Sequence, residues 1–426
     1  MSGKTILVWF RNDLRVHDNE ILLEAVKRAD TIVPVFCFDP RYFTETIYVT
    51  KKTGEFRAKF LIESVAGLRH SLQQLGAELI IKMGMPEVLL PQICQQYSIS
   101  EVYHHREVSA EETEISSNVE AALWKQQINL KHFIGHTLYH KEDLPFPIKD
   151  IPDVFNTFKK KIERDSNVRS VFETPTEINV PALMETGDLP SFLDLGLQPP
   201  QPDERAQYRF LGGELEGLSK LSDFLFKNTA QPGKNNKSVL SVTSLLSPWL
   251  SFGCLSPREV YWQTKNYERD NAGTDFTSRI IVELQWRDYF RFMLKKHGSK
   301  ITYSNQVEQP DLTKSLGYKK WKQGNTGVAL IDSCIAELNS TGYINTVCRQ
   351  YVASYLVKDL GVSWTAGAAF FEEKLIDYSP ASNWGNWTYL ANEGILSVNR
   401  PITLKVDPLL EEEYIKKWLS DANKTV

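Results

Sequence analysis

The chain lacks any CxxC pair, and its five cysteines (37, 94, 254, 334 and 348) are odd in number and widely spaced. That pattern excludes a disulfide framework and gives no zinc or other metal site; it fits reduced thiols. No apolar run approaches the length that crosses a bilayer, and no apolar core follows a basic segment at the start. A cytoplasmic protein that keeps away from membranes is expected. There is no excess of positive charge either: the net value is −4. This excludes a wholly basic nucleic-acid binder but leaves room for a local cationic groove. No GxGxxG follows the first apolar stretch, where the chain reads RNDLRVHDN from Arg11 to Asn19, so a glycine-rich dinucleotide site is excluded. Internal repeats are absent, and the one biased tract is rich in proline.

What is present divides the 426 residues into more than one core. Residues 5–10, 31–38, 78–83, 101–105 and 129–134 are short and β-branched or aromatic, and helical patterns (18–29, 56–75, 86–97, 110–127) lie between them. Strands alternating with helices predict an α/β doubly wound parallel sheet over residues 1–135. Its ligand is expected outside the carboxyl ends of the strands, where Cys37, Asp39, Glu107 and the Arg11–Asn19 loop converge. Residues 136–204 are proline-rich, acidic and aperiodic apart from a helix at 153–165, as in a wrapping connector. From 205 to 426 the apolar spacing is helical (214–227, 256–268, 276–297, 327–339, 345–359, 364–376), which predicts an all-α domain.

Aromatic mass is uneven. Eight of the ten tryptophans lie at or beyond Trp249, and Ile376–Leu390 (IDYSPASNWGNWTYL) mixes tryptophan, tyrosine, asparagine and acid. Such a mixture suits a pocket for a large flat ligand. Glu283, Trp286 and Arg287 share a helix face by their spacing, as a salt-bridged core or as a ligand wall. Arg349, in an apolar helix, needs a partner, and Asp377 is the natural one; a plain bridge between helices fits equally. Trp321, Trp364 and Trp387 stand far apart in sequence and read as core when taken singly. Thr243, Ser244 and Ser247 precede an apolar run, as N-caps or as a cradle for a pyrophosphate. His104 and His105 lack a third ligand and read as ordinary histidines.

Taken in order, WFRNDLRVHDN (9–19), VPVFCFDPRYF (33–43), DLPFPIKDIPDVFNTFKKKIE (143–163), SPWLSFGCLSPR (247–258), ELQWRDYFRF (283–292), RQYVASYLVKDLGVSW (349–364) and NWGNWTY (383–389) resemble the DNA photolyase/cryptochrome family, and within it the DASH cryptochromes. The resemblance covers nearly the whole chain. It implies an antenna domain, a connector and a helical domain holding FAD. It implies that Thr243, Ser244 and Ser247 meet the flavin pyrophosphate and that Arg287 and Arg349 line the flavin cavity, with Arg349 bridging to Asp377. Asn383 is implied to face flavin N5. Trp387, Trp364 and Trp321 are implied to relay electrons from the surface. Glu283, Trp286, Gln350 and Tyr389 are implied to receive a flipped pyrimidine dimer. Glu107, Cys37 and Asp39 match the folate antenna site, for 5,10-methenyltetrahydrofolate. The activity implied is blue-light repair of cyclobutane pyrimidine dimers in single-stranded or locally unpaired DNA by a monomeric deoxyribodipyrimidine photo-lyase, with RNA a further partner.

The sequence departs from the family pattern on the substrate side. Thr346 and Val347 replace an Asn-Arg pair, Cys348 replaces glycine, and Leu245 stands where a basic residue is expected. The segments 228–242 and 390–405 also lack familiar elements. Fewer cations mean weaker DNA binding with a shallower salt dependence. A flavin photoreceptor that signals or binds nucleic acid without repair is therefore the alternative, and a flavin-free descendant is a third reading. Repair of (6-4) products is disfavoured, because no histidine lies near Asn345–Gln350.

Overall fold

The computed structural model describes residues 3–227, 244–271, 275–298, 315–391 and 408–419. The sheet comprises β1 (Thr5–Phe10), β2 (Thr31–Phe38), β3 (Ile80–Met83), β4 (Glu101–His105) and β5 (Asn129–Phe133), all parallel, in the order β3-β2-β1-β4-β5. Between consecutive strands run α1 (Glu20–Arg28), α2 (Glu55–Gln74), α3 (Pro86–Gln96) and α4 (Ala110–Trp124). The central strands are apolar throughout because both faces are covered. Ile6, Val8 and Phe10 enter one core, while Leu7 and Trp9 enter another with residues of α3 and α4. That alternation is the two-residue period of a strand sorting side chains between two layers. Asn19 caps α1, and Ser109 with Glu112 forms a capping box on α4, so both helix starts are set by side-chain acceptors.

The connector carries α5 (Phe155–Asp165) and short 3-10 turns. It returns to the sheet, where Ile32 N–H donates to Asn179 O (2.8 Å) and Ile81 N–H to Thr186 O (2.6 Å). The helical part consists of α6 (Glu214–Ser222), α7 (Ser247–Ser251), α8 (Pro257–Asn271), α9 (Asp275–His297), α10 (Leu316–Gln323), α11 (Ala329–Thr341), α12 (Thr346–Ser354), α13 (Trp364–Lys374), α14 (Pro380–Ala391) and α15 (Pro408–Leu419). α6 and α12 each run on into a π-helical turn, at Asp223–Lys227 and Tyr355–Asp359. The core that begins on one sheet face continues through α5 into α9, so Phe158, Tyr289 and Met293 belong to the same cluster as Val8.

The loop after β1 departs from its expected role. Arg11 and Asn12 border a cavity, but most of Asp13–Asn19 joins the sheet to the helices. Arg15 donates to Gly253 O (2.8 Å) and Gly135 O (3.3 Å), and Leu14 N–H to Phe252 O (3.1 Å). Asp18 pairs with Arg258 (2.7 Å), and Glu214 accepts the Val16 and His17 amides (3.1 and 2.9 Å). Gly253 has φ +64°, and a Cβ there would lie 1.9 Å from Asn12 O. Only glycine fits that close approach.

Asp288 of α9 ties the connector down by accepting the Leu138 and Tyr139 amides at 3.0 and 2.9 Å. Burial nonetheless pushes its carboxyl up to about 7. A carboxyl raised above its unfolded value stabilises the fold below about pH 4, and that contribution is lost as pH rises to about 7. We expect denaturation midpoints measured from pH 4 to 8 to show this slope and Asp288→Asn to flatten it. Because the variant's amide NH2 cannot accept from the backbone N–H that the second Asp288 oxygen faces, the variant is also expected to lose about 1–3 kcal/mol.

Candidate functional site

Arg349 and Asp377 meet as their sequence contexts require. Arg349 Nη2 lies 3.0 and 2.8 Å from the two Asp377 oxygens, and Arg349 Nε donates to Ile344 O at 2.8 Å. Against the burial that would lower it, Asp377 keeps the guanidinium firmly charged. Ser247 donates to Asp377 at 2.6 Å and Ser244 to Glu283 at 3.3 Å. Neither serine caps α7, whose N-cap is Leu246 without a side-chain bond. Thr243 lies outside the described residues.

A cavity of about 90 Å³ opens beside this pair, lined among others by Thr346, Gln350, Asn383 and Trp387. Asn383 donates its amide to Ala368 O at 3.0 Å, and the buried Trp387 Nε1 has no hydrogen-bond partner. A buried indole N–H is normally satisfied. An orphan donor beside an arginine–carboxylate pair therefore fits a wall for a polar aromatic ligand. α13 reads TAGAAFF because α14 crosses it closely: a Cβ on Gly367 would lie 2.2 Å from the Trp387 ring.

Three residues of α9 take separate tasks. Trp286 stacks on Phe155 of α5 (centroids 3.6 Å, 11°) and meets Tyr389 edge-on at 5.6 Å. Glu283 reaches solvent, yet the protein around it displaces enough water to raise its carboxyl above the ordinary range. Arg287 donates to His136 O and, at 2.9 Å, to Leu250 O. It joins connector to α7 and does not line the cavity beside Arg349. α9 and α14 lie in contact, since a Cβ on Gly385 would fall 2.3 Å from the Phe290 ring.

Trp321, Trp364 and Trp387 share one apolar cluster. Trp321 is 0 % exposed and donates Nε1–H to Val352 O at 3.0 Å. Trp364 meets Trp384 edge-on, with centroids 5.8 Å apart.

At the carboxyl ends of the strands a second cavity, of about 150 Å³, is lined by Cys37, Asp39, Arg11, Asn12 and Arg291 among others. Glu107 lies behind it, accepting from Asn12 (2.9 Å) and Arg291 (2.8 Å), with His136 Nε2 at 3.3 Å. Against burial, His136, Arg291 and Arg11 hold the Glu107 carboxyl low, whereas burial and the Glu107 charge push Glu112 up. Burial raises the Cys37 thiol, so it serves as an apolar wall and not as a nucleophile. Asp39 is held by Arg41 at 2.6 Å. His105 pairs with Asp13 (2.7 Å) and His104 stacks on Trp9, as ordinary core histidines do. No cluster of metal ligands and no helix long and apolar enough to cross a membrane occurs among the described residues.

Sequence reading missed Asp288, the Arg291–Glu107 pair and Tyr378. The contacts of Asp288 and of the Arg291–Glu107 pair join segments remote in sequence, as does that of Tyr378 with Arg57. Only the acid inside an apolar helix gave a signal, at Asp288.

A fold with a parallel sheet at one end and an arginine–carboxylate pocket among helices agrees with sequence comparison. The profile described as DNA photolyase matches residues 6–180, and that described as FAD binding domain of DNA photolyase matches residues 280–425. The cryptochrome DASH of Gloeobacter violaceus is 41% identical, over 99% of this chain and 86% of its own. The solved structure of the Synechocystis cryptochrome superposes with a TM-score of 0.89 at 37% identity, covering 99% of this chain and 90% of its own. An archaeal photolyase from Sulfolobus tokodaii, solved with two FAD molecules, gives 0.77 at 26% identity over 99% and 91%. The chain belongs to the DNA photolyase/cryptochrome family, and proteins named cryptochrome DASH are 40–41% identical to it over nearly its whole length. FAD is its cofactor, and the pocket of Arg349, Asp377, Asn383 and Trp387 is chemically suited to it.

Proposed function

We propose that this flavoprotein repairs cyclobutane pyrimidine dimers in single-stranded or locally unpaired DNA under blue light. When bound and reduced, FAD supplies the light-driven electron. The carrying observation is that Glu283 and Trp286, a carboxyl with a raised pKa and a stacking surface, lie on the helix packed against α14, which bears Asn383 and Trp387. Trp286 stacks on Phe155 with Phe290 tilted beside it at 5.3 Å and Tyr389 at its edge, an aromatic surface of the kind on which an extruded base is read, with Gln350 contributed by α12. Flipping costs less from a strand that is already unpaired. Arg349 and Asp377 orient the flavin, Ser247 steadies Asp377, and Trp387, Trp364 and Trp321 carry electrons toward it. Residues 1–135 form the antenna domain, 136–204 the connector and 205–426 the FAD domain. The cavity at Cys37 and Asp39, backed by Glu107, holds a folate. The protein acts as a cytoplasmic monomer.

A photoreceptor that does not repair is the second reading. Leu245, Thr346 and Val347 favour it, since none offers a phosphate a charge. The test is blue-light repair of a dimer-bearing single-stranded oligonucleotide. Loss of one hydrogen bond to the dimer in Glu283→Ala should slow repair about 10- to 100-fold. Glu283→Gln, which keeps a donor, should retain most of the rate, and wild-type repair should decline as rising pH ionises Glu283. A flavin-loaded protein that leaves the dimer intact selects the photoreceptor.

A further inference from the structure

Tyr378 is the one residue that borders three cavities described in this structure: that of Arg349, that of Cys37, and a third of about 320 Å³ lined by Ile47, Tyr48, Ala369 and Trp384 among others. Its hydroxyl-bearing ring shares the wall of that third cavity with Glu372 and Trp384, and burial together with the Glu372 charge raises the phenol. The Arg57 guanidinium stands 4.5 Å over its ring. Trp384 in turn touches Trp364.

This chain of groups differs from the neighbouring tryptophans. Trp387 Nε1 has no partner, and Trp321 Nε1 faces a backbone carbonyl, which is a poor proton acceptor. Trp384 leads through a phenol to a carboxylate. Oxidation makes both indole N–H and phenol O–H strongly acidic, so an electron leaves most readily where a base takes the proton. A cation over the phenol ring disfavours a positively charged radical there and thus favours loss of the proton with the electron.

We propose that Tyr378 is redox-active, giving an electron to the tryptophan relay through Trp384 and its phenolic proton to Glu372. The inference rests on the flavin reading above, with light-excited oxidised flavin as the oxidant that first takes an electron from the relay. An electron then moves from Trp384 to oxidised Trp364. Tyr378 reduces Trp384, its O–H bond breaks, and Glu372 becomes the neutral acid. The sum is one electron delivered to Trp364, one neutral tyrosyl radical and one protonated carboxyl. Unlike the fully buried Trp321, this terminus borders the open third cavity, where a small external reductant could restore it.

Electron paramagnetic resonance and transient absorption on the FAD-loaded chain test this under blue light. Wild type should form an indole radical and then a tyrosyl radical, with the conversion slowed in D₂O. Tyr378→Phe should lose the tyrosyl signal and the isotope effect, and Glu372→Gln should weaken both, each signal being scaled to the flavin that the variant holds. A second readout needs no flavin: azidyl radicals from pulse radiolysis oxidise indoles, and the fastest indole-to-tyrosyl phase should vanish in Tyr378→Phe. An indole radical with no tyrosyl successor, or a tyrosyl signal that survives Tyr378→Phe, overturns the proposal alone. A wild type that binds no FAD, or forms no indole radical with it, overturns the flavin reading as well.

Discussion

Arg349→Ala is expected to yield a folded chain that loses FAD on purification. The change strips Asp377 of the Arg349 Nη2 that reaches both its oxygens and leaves a buried carboxylate with the Ser247 hydroxyl. Breaking a buried pair by removing one partner costs roughly 3–5 kcal/mol, and in a pocket wall that cost falls on the bound state and on the protein together. Flavin affinity, read by fluorescence titration, should drop at least about 100-fold if some 3 kcal/mol of the loss appears in binding. Arg349→Lys tests geometry against charge. An ammonium keeps the charge but cannot reproduce the planar fork, so intermediate affinity is expected. Wild-type affinity in the alanine variant would remove Arg349 from the flavin wall.

The second large effect is expected at Gly253, which presses on Asn12 behind the strand-end cavity. Any side chain there meets Asn12 O at 1.9 Å and must also adopt φ +64°. Gly253→Ala should therefore break the Leu14–Phe252 and Arg15–Gly253 hydrogen bonds and cost at least about 3 kcal/mol. Gly361→Ala is the control. Its φ is +61° but nothing lies within 4 Å of the added carbon, so only the backbone penalty of about 1 kcal/mol applies. Thermal melting and hydrogen exchange of β1 and α7 separate the two variants. Equal losses would mean that the joint contributes nothing beyond backbone strain.

The strands were legible because a two-sided parallel sheet writes apolar runs into the sequence. β1, β2 and β4 fall where those runs lie, and β3 begins two residues later than its apolar stretch. Arg349 with Asp377 was legible because a lone charge in an apolar helix demands a partner. The Arg11–Asn19 loop was only half legible: a cavity does open at the strand ends beside Arg11 and Asn12, while Arg15 and Asp18 answer to Gly253 and Arg258. Arg287 shows the same limit. Its helix face follows from spacing, but two backbone carbonyls from distant segments decide what it holds. The Phe155–Trp286 stack leaves no periodic trace because it joins remote segments. The Glu372–Tyr378–Trp384 group leaves none because it spans the break between α13 and α14, across which helical spacing does not carry.

The joint formed by Arg15, Asp18, Glu214 and Arg258 has a further meaning. These charges are nearly all out of water, and each is answered from the other side of the sheet–helix boundary or from a connecting segment. A fragment carrying only the sheet would leave Arg15 without the Gly253 carbonyl and Asp18 without Arg258, and a fragment carrying only the helices would leave Glu214 without the Val16 and His17 amides. Neither half has a finished exterior. The boundary is thus a seam of the kind found inside a single body, and the cavity at the strand ends and the cavity beside Arg349 stand on its two sides.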